Sequence, residues 1–198
     1  MSVRILIAGI LGGIAMFIWT SIAHTVLPLG HIGFSQMPQE APVLSAMQAS
    51  NGQQDGLYFY PWVDPKDPQM MQKSAAAMKA NPSGLLLYHP AGHGMTDMTK
   101  PLIGEFIKEL IQALIAAYLL SLAAIGSYLG RVGFVTLIGV AATITTNVSY
   151  WLWYGFPLDF TVAALITEGV GYFVAGLAIA YWTNRKSSAK LSLAAAPA

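Results

Sequence analysis

Apolar positions fall into four long runs, and a single long polar segment separates the first from the other three. The first run is Ile5 to Leu27, "ILIAGILGGIAMFIWTSIAHTVL". The second extends from Leu102 to Leu129, with Glu105, Lys108 and Glu109 in its first turns. The third is Val132 to Tyr154 and the fourth Phe160 to Trp182. Each reaches the roughly 20 mostly apolar residues that a helix needs to cross a bilayer core. "GSYLGR" and "GFPLD" join the last three. The pattern predicts an all-α membrane protein, a four-transmembrane-helix bundle with a small extracytoplasmic α+β insert between helices 1 and 2. Residues 1–27 hold the first helix, 28–100 the insert, 101–183 helices 2–4, and 184–198 a tail.

Within the insert the period changes. "APVLSAMQAS" reads as a short helix, with Pro42 in its first turn and Val43, Leu44 and Met47 on one face. "GLYFYPW" is rich in aromatic residues and predicts a strand. "DPQMMQKSAAAMKANP" predicts a second helix, with Asp67 as N-cap, Pro68 at the first helical position and Asn81-Pro82 as its stop. "SGLLLYH" is the second strand candidate. Such an insert, without disulfides, is expected to pack as a cap on the spans or on a partner.

Composition agrees with the membrane reading. The chain is 55% hydrophobic and only 10% charged, against about 25% charged residues in a soluble domain. The net charge of +1 supplies no basic face for nucleic acid. There are no cysteines, which excludes disulfides, thiolate metal sites and iron–sulfur ligation.

Basic residues near the helix ends set the expected orientation. Arg4, Arg131, Arg185, Lys186 and Lys190 fall on one side, whereas Asp159 and the insert fall on the other. Both termini are therefore expected in the cytoplasm and the insert outside, in a bacterial cytoplasmic membrane. Tyr150, Trp151, Trp153 and Tyr154 would anchor the outer boundary, and Tyr181 and Trp182 the inner one. A cleaved signal peptide is the competing reading of the first run, since Ser21-Ile22-Ala23 fits a small-x-small cleavage site. The run exceeds the roughly 7–15 residues of a signal core, and Phe17 and Trp19 suit a permanent span.

The two halves also resemble each other. Pro28-Leu29 and Pro157-Leu158 follow the first and third runs, and Glu109 and Glu168 lie in the outer halves of the second and fourth. This pattern suggests parallel repeats about an axis normal to the membrane, although apolar helices resemble one another by chance.

Ionisable and amide side chains inside the runs are the candidate chemistry, because they are expensive in lipid unless paired or functional. Glu105, Glu109 and Gln112 form one stripe on the second helix. Thr143, Thr146, Asn147, Tyr150 and Tyr154 form another on the third, Thr20 and His24 lie one turn apart on the first, and Glu168 is on the fourth. They are expected to face one another as a polar pocket in the outer half of the membrane, serving either as a binding site or as hydrogen-bonded glue. Gly9 and Gly13 form a G-x-x-x-G pair that permits close helix approach.

A second candidate is "LLLYHPAGHGMTDMTK". His89, His93, Met95 and Met98 have the donor types that copper takes, while Pro90, Gly92 and Gly94 make the same stretch a sound turn. The turn is the expected reading, and copper the alternative. No phosphate loop, dinucleotide fingerprint, nucleophile elbow or H-E-x-x-H motif is present. The leading expectation is a non-catalytic accessory or assembly subunit of a larger membrane complex, with the lipid bilayer and other membrane subunits as partners. A small transporter or ion-handling protein using His24, Glu109 and Glu168 is the alternative. A membrane enzyme with the two glutamates as acid and base is the third reading.

Overall fold

The computed structural model describes residues 2–94 and 96–194, with side chains through Asn184. The chain is mostly helical, with a small two-stranded sheet. Its elements are α1 (Val3–Thr25), a 3-10 turn (Leu29–His31), α2 (Glu40–Asn51), β1 (Gly56–Tyr60), α3 (Met70–Ala80), β2 (Gly84–Tyr88) and α4 (Thr99–Leu122). There follow α5 (Tyr128–Thr143), a π-turn (Ile144–Val148), α6 (Ser149–Tyr154) and α7 (Leu158–Ala194). Among the described residues three helical stretches are long and apolar enough to cross a membrane: Val3–Thr25, Tyr128–Tyr154 and Leu158–Asn184. Helix α4 is not among them, since Glu105, Lys108 and Glu109 charge its first half.

The second apolar run does not form one helix to Leu129. It stops at Leu122, and Ser127 starts a new helix by accepting the Gly130 N–H at its hydroxyl, 3.1 Å away. An N-cap serine satisfies one of the donors that a helix start leaves open, so this local bond divides a continuous apolar stretch into two elements. Leu129 belongs to α5 and is exposed.

Two compact units are present: Met1–Phe34, Thr99–Leu152 and Phe156–Ala198 form one, and Ser35–Met98 with Trp153–Gly155 the other. The helical unit claims residues 28–34 because they fold back onto their own helices. Gly33, at φ +87°, lies against the backbone of Phe160, and the Phe34 ring meets Phe160 edge to face at 5.7 Å.

In the helical unit, α1 packs along both α4 and α7, and α7 packs along α5. Small residues at these contacts let the backbones approach closely. The core is Ala8, Met16, Ala116, Ala117, Leu120, Val135, Tyr172, Ala175 and Ile179. Gly9 and Gly13 face α4: a Cβ at either would lie 2.8 Å from a backbone Cα, that of Leu114 or Leu110. The G-x-x-x-G pair therefore serves packing inside this chain. Phe17 and Phe106 extend the same seam edge to face. A two-fold exchanging α1 with α5 and α4 with α7 would lay α4 along α5 as fully as α1 lies along α7. Helix α4 meets α5 only briefly, so the sequence echo between the halves is not carried into the packing.

In the second unit, β1 and β2 pair antiparallel with Gly56 opposite Tyr88 and Tyr60 opposite Gly84. The Tyr88 hydroxyl donates to the Gly52 carbonyl (3.0 Å) and so ties the end of β2 to the end of α2. Val43 and Met47 of α2 are half-buried, while Leu44 is exposed. Helix α3 begins at Met70, two residues later than its sequence suggests, and Asp67 ahead of it accepts the Gln69 N–H at one oxygen, as an N-cap would, and meets Lys73 with the other. These bonds hold the Asp67 carboxyl below its usual range, the Lys73 ammonium contributing most.

Candidate functional site

The polar residues of the apolar runs divide into three groups with different chemistry. The first is a pocket of about 330 Å³ inside the helical unit, lined by His24, Leu29, Gly30, Ile32, Phe34, Asn147, Phe160, Ala163, Ala164, Thr167 and Glu168. Its polar groups come from α1, the π-turn and α7, and its floor is aliphatic and aromatic. The chain after α1 closes over His24, and Gly30 makes this possible: a Cβ there would meet the imidazole Cδ2 at 2.5 Å.

Two polar side chains of the pocket, His24 and Asn147, are oriented by hydrogen bonds. His24 Nδ1 lies 2.9 Å from the Thr20 carbonyl. A carbonyl only accepts, so Nδ1 carries the proton, and in the neutral ring Nε2 keeps its lone pair. Asn147 Nδ2 donates to the Thr143 carbonyl (3.4 Å), leaving Oδ1 as an acceptor. Asn147 belongs to the π-turn Ile144–Val148, a local widening of the helix that recurs at functional sites. The Trp19 indole donates to the Thr167 carbonyl at 2.8 Å, locking α1 to α7 beside Glu168.

The second group is a charged cluster. Lys108 Nζ lies 2.6 Å from Glu105 Oε1 and 3.8 Å from Glu168 Oε1, so one lysine faces two glutamates. The third is Glu109, fully buried. Thr20 lies beside it, yet neither carboxylate oxygen has a partner in hydrogen-bonding geometry, nor has the buried Gln112 Oε1. The sequence reading expected one shared pocket. His24, Asn147 and Glu168 do line one cavity, whereas Glu105, Glu109 and Gln112 are not among its lining residues.

Tyr150 is not in the pocket either; its ring stacks on Phe156 at 5.3 Å. The hydroxyl stripe on the third run is satisfied within its own helix. Thr143, Thr145, Thr146 and Ser149 each donate to the carbonyl four residues back. Such back-bonding competes with regular helix geometry and often bends it, and here it coincides with the π-turn.

No family model, curated protein or solved structure matches this chain. What it does is therefore argued from its own side chains.

In the second unit, His89 and His93 are brought together by a residue that the sequence reading overlooked. Asp55, just before β1, accepts from His89 Nδ1 at 2.7 Å on one oxygen and from His93 Nδ1 at 3.0 Å on the other. Met98 is exposed, and Met95 lies outside the described residues. Among the described residues no three His, Asp or Glu side chains are placed to hold a metal ion together. The geometry is that of a hydrogen-bonded clasp between the start of β1 and the turn after β2, and no role for copper is built on it.

The clasp has a definite pH dependence. Hydrogen bonds from His93 and then His89 hold the exposed Asp55 carboxyl below its usual value. A depressed folded-state pKa stabilises above the unfolded value, near 3.9, and that contribution is lost as pH falls through the lower folded value. Hydrogen exchange of residues 89–94 is expected to accelerate as pH drops below about 4, after correction for the intrinsic rate. Asp55→Asn offers one acceptor oxygen where two are used, so it should show the faster exchange already at neutral pH. Equal protection in the two proteins at neutral pH would remove the clasp.

Proposed function

We propose that this chain is a non-catalytic integral membrane protein of four spans that takes a small solute or ion into the pocket between α1, the π-turn and α7. The observation that carries the reading is that His24, Asn147 and Glu168 line one cavity whose other residues are mostly apolar. Binding pockets are commonly apolar with a few convergent polar groups. Helix α4 serves as the fourth span in this reading. At 24 residues it is about 36 Å long. Its charges are offset by the pairing of Lys108 with Glu105 and Glu168, and Glu109 is turned away from the surface.

Both termini lie in the cytoplasm and residues 28–100 outside. The basic flanks support this orientation, as does the proximity of two helix ends: Arg131 at the start of α5 donates to the Thr183 hydroxyl of α7 at 3.2 Å. Reporter fusions after Gln54 and after Lys186 are expected on opposite faces, the first extracytoplasmic. A cytoplasmic signal at Gln54 would reverse the orientation. Ala164→Leu, which fills the pocket, is expected to abolish any solute-induced rise in unfolding temperature of the solubilised protein. A broad solute screen in which that variant diminishes no response would defeat the pocket reading.

The accessory-subunit reading rests on a different surface. Thr145, Thr146 and Ser149 are exposed side by side on an otherwise apolar helix, and small hydroxyl residues suit contacts between membrane helices. In that reading Thr145→Leu with Ser149→Leu would release a detergent-stable assembly to the monomer on native gels, and the cap would be the recognition surface.

A further inference from the structure

We propose that the pocket's ligand is a protonated primary amine with a small apolar body. The inference rests on the pocket reading above and adds the chemical class of the occupant.

Three side chains lining the cavity each present an acceptor, and the Thr167 hydroxyl beside them can accept or donate. His24 has its proton on Nδ1, bound to the Thr20 carbonyl, so Nε2 is available. Asn147 uses one of its two amide N–H groups on the Thr143 carbonyl and keeps Oδ1 as an acceptor. Glu168 contributes a carboxylate, an acceptor-only group when ionised. An anion would be repelled by the Glu168 carboxylate, the charged residue of the lining, and a neutral alcohol would leave that charge unmatched. An ammonium group carries three N–H donors, enough for these three acceptors, together with the positive charge that the Glu168 carboxylate calls for.

Charge points the same way. Lys108 is shared between Glu105 and Glu168, so the cluster retains an excess of negative charge that a cation would neutralise. The remainder of the wall suits a hydrocarbon body. Phe34 and Phe160 meet edge to face at 5.7 Å, and aromatic faces attract a nearby cation as well as alkyl groups. A cavity of about 330 Å³ admits a small amine and excludes a large one.

The test is titration calorimetry of the full chain in detergent with four probes of similar size: butylammonium, butanol, butyrate and tetramethylammonium. Butylammonium is expected to bind. Butanol and butyrate should not, and tetramethylammonium, which has the charge without N–H donors, should bind at least about tenfold more weakly, the loss expected when charge-assisted hydrogen bonds are removed. Glu168→Gln, which keeps the side-chain shape, should weaken butylammonium by about tenfold or more. Butanol or butyrate binding as tightly as butylammonium, or unchanged affinity in Glu168→Gln, would overturn the amine assignment and leave the pocket in place. Binding that persists in Ala164→Leu, or no binding by any of the four probes, would overturn the amine assignment too. Only a broader screen in which Ala164→Leu blocks no solute would remove the pocket reading itself.

Discussion

Replacing Gly9 and Gly13 together with alanine is expected to destabilise the helical unit, although alanine is the better helix former. A Cβ at either position would lie 2.8 Å from a backbone Cα of α4, and a backbone atom cannot swing aside as a side-chain end can. Overpacking of this kind costs roughly 1–3 kcal/mol per site. Helix propensity returns up to about 1 kcal/mol per site, so at a mid-range overpacking cost of about 2 kcal/mol per site the double variant should lose roughly 2–4 kcal/mol. Gly104→Ala on α4 is the matched control, since nothing lies within 4 Å of a Cβ there; it should be neutral or gain up to about 1 kcal/mol. Unfolding in mixed micelles reads both. The two substitutions are expected to have opposite signs, and a destabilised Gly104→Ala beside an unaffected double variant would mean that α1 and α4 do not pack as described.

Glu109→Met is expected to raise stability. The native carboxyl is fully buried, with Thr20 beside it but no partner in hydrogen-bonding geometry at either oxygen, a condition that costs roughly 1–3 kcal/mol. Methionine has nearly the same length and shape without the polar atoms, so removing the carboxyl should recover stabilisation of that order. Glu109→Gln removes the charge but leaves an unpaired amide, and should fall between methionine and the native residue. The expected order of unfolding midpoints is Met, then Gln, then Glu. A methionine variant less stable than the native protein would show that this carboxyl holds a partner. Position 109 is not among the pocket-lining residues, so amine binding should survive there while Glu168→Gln reduces it. That contrast separates the two glutamates, which look equivalent in the sequence.

Hydrophobic periodicity and turn chemistry made much of the secondary structure legible. Length and apolarity marked the three helical stretches that could cross a membrane, because crossing a bilayer demands both within one segment. Proline and asparagine punctuation marked the short helices of the insert, and the aromatic and aliphatic runs marked β1 and β2. The glycine pair on α1 could be read as a packing device but not assigned a partner, since a small residue advertises close approach without saying to what.

The arrangement of the polar groups was decided by tertiary structure alone. Helical spacing puts Glu105, Glu109 and Gln112 on one stripe, yet a stripe has width, and the rotation of α4 against α1 buries Glu109 while leaving Glu105 and Lys108 half exposed. The π-turn moved Asn147 out of the regular register assumed for Thr143 to Tyr154, and Tyr150 went to Phe156 instead of the pocket. Asp55 meets His89 and His93 only because β1 pairs with β2, a contact between residues far apart in the chain. Sequence by itself determined which segments must leave water and which can turn, since those depend on local composition and backbone preference. Which carboxylate is paired, buried or open to a ligand depends on helix rotation and strand pairing, and these are settled only when all the elements pack at once.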